Sequence, residues 1–134
     1  MDFLSGLLWL SLNIHFEARS EDQLDQIAVG LVTINRAKLK QRPIKQVVLE
    51  PKAFSWTNEK RSFLPDPAHF VTSIQSAYLS LLAHNFLGEK ATHYHHIKVR
   101  PYWAVKMSYI GTFGSHKFYQ PLVKIKPIKR KVKL

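Results

Sequence analysis

Two glutamates near the start of the chain have the type and spacing needed for acid–base chemistry. Glu17 follows Phe16 at the end of an apolar stretch, and Glu21 lies four residues later. Partial burial raises the pKa of a carboxyl group toward the range in which it can act as a general acid. If a helix extends this far, the two carboxylates lie on neighbouring turns and their repulsion favours a proton on one of them. The pattern predicts Glu17 as a proton donor supported by Glu21, against the alternative of a solvated helix end.

Three histidines, His93, His95 and His96, lie close together later in the chain. Neutral imidazole is a common metal ligand, and on a strand His93 and His95 would share one face. However, the chain has no cysteine and no H-E-x-x-H pattern that would complete a zinc site. The sequence therefore predicts no metal and no cofactor, and the histidines are interpreted as part of a polar groove wall.

Aromatic side chains are concentrated in the loop-rich parts of the sequence. Flat rings with polar edges suit sugars and nucleic-acid bases equally well. The candidates for ligand contact are Phe54, Trp56, Tyr94, Tyr102, Trp103 and Tyr119. They predict a binding groove without choosing between a glycan and a nucleic acid.

The charge of the chain indicates anionic partners. Twenty Lys and Arg against 9 Asp and Glu give a net charge of +11, which suits nucleic acid, anionic membranes and bacterial wall polymers. No phosphate-cradling loop or helix-turn-helix signature is present, so charge alone supports nucleic-acid binding. We therefore predict no specific nucleic-acid partner, and a basic nucleic-acid-binding module remains the competing class of function.

The elements that position these residues are mostly helical. With 134 residues, 46% of them apolar, the chain is expected to form one globular domain. A first helix is predicted from residue 3 to about residue 18, with an apolar stripe that consists of Leu4, Leu7, Leu8, Leu12 and Phe16. Ser20 and Gln23 form a capping-box pattern that begins a central helix ending near Leu39.

The second half of the chain adds one more helix and short strands. Asp66 and Pro67 predict a helix start, and Gly88 its end. Residues 92–96 and 117–119 are predicted to be strands, so the fold class is α+β and mostly helical. The stretch 3–12 has about half of the roughly 20 residues that a membrane-spanning helix needs, so no transmembrane segment is expected.

We divide the chain into a folded unit, residues 1–122, and a basic C-terminal tail, residues 123–134. The tail contains six Lys and Arg residues, no acid and one proline, which predicts that it does not pack. Such a segment can bind anionic envelope polymers through charge alone.

Five blocks of residues, in this order, resemble the SleB/CwlJ-type cell wall hydrolase family. The blocks are Asn13-Ile14-His15-Phe16-Glu17-Ala18-Arg19-Ser20-Glu21 with Gln26 to Val29 and Asn35-Arg36, then Phe54-Ser55-Trp56-Thr57, Ala91-Thr92-His93-Tyr94-His95, Pro101-Tyr102-Trp103 and Phe113-Gly114-Ser115-His116-Lys117-Phe118-Tyr119. Ser20 and Lys90 depart from the family pattern, which usually has Gly at both positions, and neither removes a reactive group.

The resemblance implies a lysozyme-like, lytic-transglycosylase-like single domain with a catalytic glutamate at the end of a helix, which is the place of Glu17. It implies that the protein is a peptidoglycan-cleaving enzyme that breaks the bond between N-acetylmuramic acid and N-acetylglucosamine. Supporting roles are expected for Tyr94 in catalysis and for a set of substrate-binding residues. That set is Phe54, Trp56, His95, Trp103, His116 and Tyr119, whereas Asn35 and Arg36 are expected to hold the first helix through hydrogen bonds.

The number of carboxylates favours one mechanism over another. Glycoside hydrolysis needs two acids on opposite sides of the scissile bond, and Glu21 would project from the same side as Glu17. A single glutamate suffices for a lytic transglycosylase, which leaves 1,6-anhydromuramoyl ends. We expect this route, and hydrolysis by a muramidase is the alternative.

The first residues of the chain do not have the pattern of a secretory signal, and this suggests a biological setting. Asp2 precedes the first apolar stretch and no small-residue cleavage site follows it, unlike a secretory signal. A small, basic enzyme of this kind resembles a phage endolysin that is made in the cytoplasm and acts on the cell wall or in the periplasm after release. We expect a monomer.

Overall fold

The computed structural model describes residues 3–51, 53–58 and 64–123 and confirms the α+β, mostly helical fold class. The regular elements are α1 (Phe3–Ala18), α2 (Gln23–Lys40), α3 (Ile44–Leu49), α4 (Pro67–Leu82), β1 (His93–His96), β2 (Met107–Phe113) and β3 (His116–Pro121). Short 3₁₀ helices occur at Ser55–Asn58 and Tyr102–Lys106. Of the predicted basic tail, only Val123 is among the described residues, so the tail lies outside them.

Helix α1 has the predicted length, and its predicted apolar stripe is confirmed in part: Leu7, Leu12 and Phe16 pack in the core, and Leu4 and Leu8 do not. Leu10 and Ile14 are fully buried, whereas Leu4 is 72% exposed and Leu8 is 48% exposed. The reason is that α2, α3 and α4 all pack against α1 and enclose its second half. Leu10 and Ile14 are therefore buried in addition to the second half of the predicted stripe.

The predicted bounds of α1, the end of α2 and the start of α4 are confirmed, whereas the predicted cap of α2 and the predicted end of α4 are wrong. Asp66 caps α4 by accepting a hydrogen bond from the Ala68 N–H, with Pro67 in the first turn, as predicted. The capping box at Ser20 and Gln23 does not form, because Asp22 caps α2 by accepting from the Asp25 N–H at 2.9 Å. Helix α4 ends at Leu82, before the turn that contains Gly88.

Helix α2 is the centre of the molecule, and its polar side chains bond to other segments. Gln26 donates from Nε2 to the Ala18 carbonyl at the end of α1, at 3.1 Å. Asn35 donates from Nδ2 to the Gly88 and Ala91 carbonyls, at 2.9 and 2.8 Å. The prediction that Asn35 and Arg36 hold the first helix is therefore wrong: they hold the segment that leads into β1.

The sheet is antiparallel in the order β1-β3-β2, and the sequence pattern missed β2. Tyr94 of β1 lies opposite Phe118 of β3, and Phe118 is fully buried in the helical core. His93 lies opposite Tyr119, which contacts Trp103. Because successive side chains of a strand point to opposite faces, Tyr94 faces the helices while His93 and His95 face the other way.

A buried ion pair joins α2 to the start of β3. His116 donates from Nδ1 to the Asp25 carboxylate at 2.8 Å, and the Ser115 N–H donates to the same carboxylate at 3.2 Å. Burial lowers the pKa of His116, but the hydrogen bond and the charge of Asp25 outweigh this effect and raise the pKa above 6.5. Burial also raises the pKa of Asp25, and His116 opposes that rise.

Among the described residues, no helix has both the length and the apolar character that a membrane span requires.

Gly30 tests the close contact between α2 and α4. A Cβ at Gly30 would lie 2.9 Å from Ser80 Cβ and 3.1 Å from Ile14 Cδ1, so Gly30→Ala should lower the free energy of unfolding by about 1–3 kcal/mol. The matched control is Gly6→Ala, where the nearest atom is 3.6 Å away and the gain in helix propensity is up to ~1 kcal/mol. Urea denaturation followed by circular dichroism measures both. Equal effects at the two glycines would contradict the packing described here.

The Asp25–His116 pair predicts a pH dependence of stability. Because the folded-state pKa of His116 is raised above 6.5, its contribution is complete below that pH and is lost as pH rises through the folded-state value. We expect the free energy of unfolding to fall over this range. His116→Asn, which keeps a neutral donor, should remove that part of the fall, and the exposed His84 gives a matched control in His84→Asn. Parallel pH profiles for the wild type and His116→Asn would refute the assignment.

Candidate active site

Glu17 and Tyr94 form the centre of the candidate site. Glu17 is the penultimate residue of α1, and the Tyr94 hydroxyl of β1 donates to Glu17 Oε1 at 2.6 Å. Both residues lie beside anchored positions, because Ala18 is held by Gln26 and the segment before β1 is held by Asn35. The contact between residues 77 positions apart is therefore set by α2.

The surroundings of Glu17 favour its protonated form. Burial raises the pKa of Glu17, and the hydrogen bond from Tyr94 and the charges of His116 and Arg36 oppose the rise without cancelling it. Burial and the charge of Glu17 raise the pKa of Tyr94 well above its ordinary value. Tyr94 therefore stays a hydroxyl donor, while Glu17 can hold a proton to higher pH than a solvated glutamate.

A cavity of about 560 Å³ is lined in part by Tyr94, the partner of Glu17. Helix α2, the end of α3 and the segment after it, strand β1 and Trp103 form its walls. Glu17 itself does not line the cavity, but it accepts the hydrogen bond of the wall residue Tyr94. The polar and aromatic side chains that line the cavity are Arg36, Lys40, Glu50, His93, Tyr94 and Trp103. Lys40 and Arg42 are paired with Glu50, and the hydrogen bond from Lys40 lowers the pKa of Glu50.

Three of the predicted substrate-binding residues, His95, Trp103 and Tyr119, form one aromatic cluster together with His93. His93 and His95 share a face, as predicted, and both rings contact Trp103, with centroids 5.1 and 5.6 Å away. His95 stacks on Tyr119 at 5.3 Å, and its Nε2 is 2.8 Å from the Tyr119 hydroxyl. Trp103 is the partly exposed member that also lines the cavity, while Tyr119 is buried behind it.

Phe54 and Trp56 do not present their rings to the cavity, contrary to the expectation that they line subsites. They are only 2% and 5% exposed, because both belong to a second core cluster with Leu12 and Val48. Trp56 donates from Nε1 to Asn13 Oδ1 at 2.8 Å and stacks on Phe16. They support the site from behind, since Phe16 precedes Glu17.

Glu21 is separated from Glu17 by the end of the helix. Because α1 ends at Ala18, the predicted arrangement on neighbouring helical turns is wrong, and Glu21 lies on the following turn. The Glu21 carboxylate lies near Asp25 and His116. In the described part of the chain, these three residues are the group whose possible ligand atoms lie close enough to hold a metal ion, within 4.8 Å of one another. His116 and Ser115 already occupy the Asp25 oxygens.

Sequence reasoning missed Arg36 as a residue of the cavity. Its Nε donates to the Thr92 carbonyl at 2.7 Å, and its guanidinium lies over the Phe54 ring. A signal was present, because Arg36 follows the buried Val32 by four positions and so lies on the inward face of α2. No comparable pattern in the sequence indicates that Glu50 lines the cavity.

Comparisons with known proteins identify the family of the chain. The cell wall hydrolase family matches residues 20–119, well over half of the chain, and the match begins just after Glu17. No curated protein sequence gives a significant match.

Two solved structures share the fold. The catalytic domain of the germination-specific lytic transglycosylase SleB from Bacillus anthracis is 22% identical, with a TM-score of 0.72 over 86% of this chain and 93% of that one. The catalytic domain of the Bacillus cereus SleB protein is 24% identical, with a TM-score of 0.69 over 87% of this chain and 91% of that one. The expected single-domain, lytic-transglycosylase-like fold is thus confirmed. The chain belongs to the cell wall hydrolase family and is an enzyme that acts on peptidoglycan.

Proposed function

We propose that the protein cleaves glycan strands between N-acetylmuramic acid and N-acetylglucosamine as a lytic transglycosylase, with Glu17 as its catalytic acid and base. The observation that carries the proposal is the Glu17–Tyr94 pair beside the cavity. Burial raises the pKa of Glu17, which suits a group that must donate a proton near neutral pH.

The proposed reaction needs one carboxyl group and no water. Protonated Glu17 donates to the glycosidic oxygen while the bond from that oxygen to muramyl C1 breaks. The resulting Glu17 carboxylate takes the proton from the muramyl C6 hydroxyl, whose oxygen bonds to C1. The products are a glucosamine 4-hydroxyl and a 1,6-anhydromuramoyl end, and Glu17 regains its proton.

Two further observations support this route over hydrolysis. The B. anthracis protein with this fold is described as a lytic transglycosylase. Hydrolysis needs a second carboxylate across the scissile bond. In the described part of the chain, Glu50 is the acid that lines the cavity, and its pairs with Lys40 and Arg42 engage it.

The aromatic cluster of the sheet supplies the proposed glycan contacts. Trp103 lines the cavity beside His93, and ring faces of this kind pack against the apolar faces of sugars. His95 and Tyr119 hold Trp103 in place, and His116 acts through its pair with Asp25.

The phage endolysin setting and the attachment of residues 123–134 to anionic envelope polymers stay predictions of the sequence.

Product analysis with paired variants tests the mechanism. Muropeptides released from purified sacculi should carry 1,6-anhydromuramic ends, detected by mass spectrometry as products one water lighter than reducing ends. Glu17→Gln should lower the rate by at least ~10²–10⁴-fold because it lacks the proton donor. Glu50→Gln, the matched cavity control, should keep most of the activity. Reducing ends together with loss of activity in Glu50→Gln would establish the two-carboxylate hydrolysis instead.

Tyr94→Phe should shift the alkaline limb of the kcat/KM profile to higher pH. The Tyr94 hydrogen bond lowers the pKa of Glu17, so its removal should raise that pKa and let Glu17 keep its proton longer. A hydrogen bond to a charged group contributes ~1.5–3 kcal/mol, which corresponds to a shift of about one to two pH units.

Tyr119→Phe is the matched control, because the Tyr119 hydroxyl contacts His95 and not Glu17. The control should leave the alkaline limb in place. A limb that does not move in Tyr94→Phe, or that moves equally in both variants, would show that Tyr94 does not tune Glu17.

A further inference from the structure

The side chain of Arg36 is held in one orientation at the cavity wall. Its Nε donates to the Thr92 carbonyl at 2.7 Å, and its guanidinium carbon lies 5.0 Å from the centroid of the buried Phe54 ring. These two contacts use one edge and one face of the guanidinium. In the described part of the chain, Nη1 and Nη2 have no hydrogen bond and no ion pair, and Arg36 lines the cavity.

Among the described residues, no carboxylate lies within ion-pair distance of Arg36. An arginine stays charged in proteins even though burial lowers the pKa of Arg36. Glu17 and Glu50 both lie near enough for their charges to raise the pKa of Arg36. Burial raises the pKa of Glu17, which favours its uncharged form. Glu50, the acid of the cavity wall, is paired with Lys40 and Arg42. A partly buried cation without an ion pair is unfavourable, so Arg36 would stabilise an anion bound in the cavity.

We propose that Arg36 binds a carboxylate carried by the muramyl residue of the substrate and thereby selects which sugar is presented to Glu17. The inference rests on the proposed function. The two sugars of the strand differ in this chemistry, because the lactyl side chain of N-acetylmuramic acid ends in a carboxyl group and N-acetylglucosamine has none. The planar fork of two N–H groups matches a carboxylate in a bidentate arrangement.

The carboxylate has two possible sources. On strands without peptides it is the lactyl carboxylate itself. On strands with stem peptides the lactyl group is an amide, and the carboxylates belong to the peptide. Both sources place a negative charge on the muramyl residue at the scissile bond, and neither places one on the adjoining glucosamine residue.

The test compares Arg36→Gln with the wild type on three substrates. These are glycan strands stripped of peptides by an amidase, the same strands with their carboxyl groups converted to methylamides, and strands that keep their stem peptides. Arg36→Gln should raise KM by about 10–100-fold on strands that carry the recognised carboxylate, with a much smaller change in kcat. On the methylamide strands the two proteins should have the same KM.

Two further variants control for charge and for folding. Lys38→Gln removes one positive charge from an exposed position on the same helix and should not change KM. Arg36→Lys keeps the charge but not the fork, so its KM should lie between those of the wild type and Arg36→Gln. Thermal melting of each variant shows whether it is folded, and Arg36→Lys carries the test if Arg36→Gln is not.

The substrate that shows the effect identifies the source. A KM effect on stripped strands assigns the lactyl carboxylate, and an effect confined to peptide-bearing strands assigns the stem peptide. An equal effect on all three substrates, or no effect on any, would overturn the proposal. Equilibrium binding of stripped and peptide-bearing strands to Glu17→Gln and to Glu17→Gln with Arg36→Gln needs no turnover. It therefore reports on Arg36 even if product analysis rejects the transglycosylase mechanism.

Discussion

The polar side chains that α2 carries into the interior constrain the rest of the structure. A buried polar group without a partner costs about 1–3 kcal/mol, so Asp25, Gln26 and Asn35 must each meet a donor or an acceptor. Their partners are the start of β3, the end of α1 and the segment before β1. Glu17 and Tyr94 lie within a few residues of these partners. The same hydrogen bonds that satisfy α2 therefore bring the acid and its hydroxyl donor together.

Burial sets the chemistry of the pair as well as its position. The surroundings that exclude water from Glu17 raise its pKa, and the hydroxyl of Tyr94 limits the rise by stabilising the carboxylate. A group that first donates and then accepts a proton works best when neither form is strongly favoured. The balance between desolvation and one hydrogen bond is suited to the two proton transfers of the proposed reaction.

Strand β1 contributes to both sides of the site because its side chains alternate. Tyr94 faces the helical core and bonds to Glu17, while His93 and His95 face Trp103 on the other side of the sheet. The four residues of β1 thus connect Glu17, through Tyr94, to the aromatic cluster around Trp103. The buried pair of Asp25 and His116 holds the neighbouring strand β3 to α2, which keeps this sheet against the helices.

The sequence by itself determined the local features. The span of α1, the Asp66 cap of α4, the shared face of His93 and His95 and the place of Glu17 at a helix end all follow from periodicity and capping within a few residues. The order of the matched blocks also predicted the family. Only the tertiary structure decided the contact of Glu17 with Tyr94, the burial of Phe54 and Trp56, and the exposure of Arg36 to the cavity. The physical reason is that helix periodicity and capping act between near neighbours in the chain, whereas packing and the pairing of buried polar groups join residues that are far apart in it.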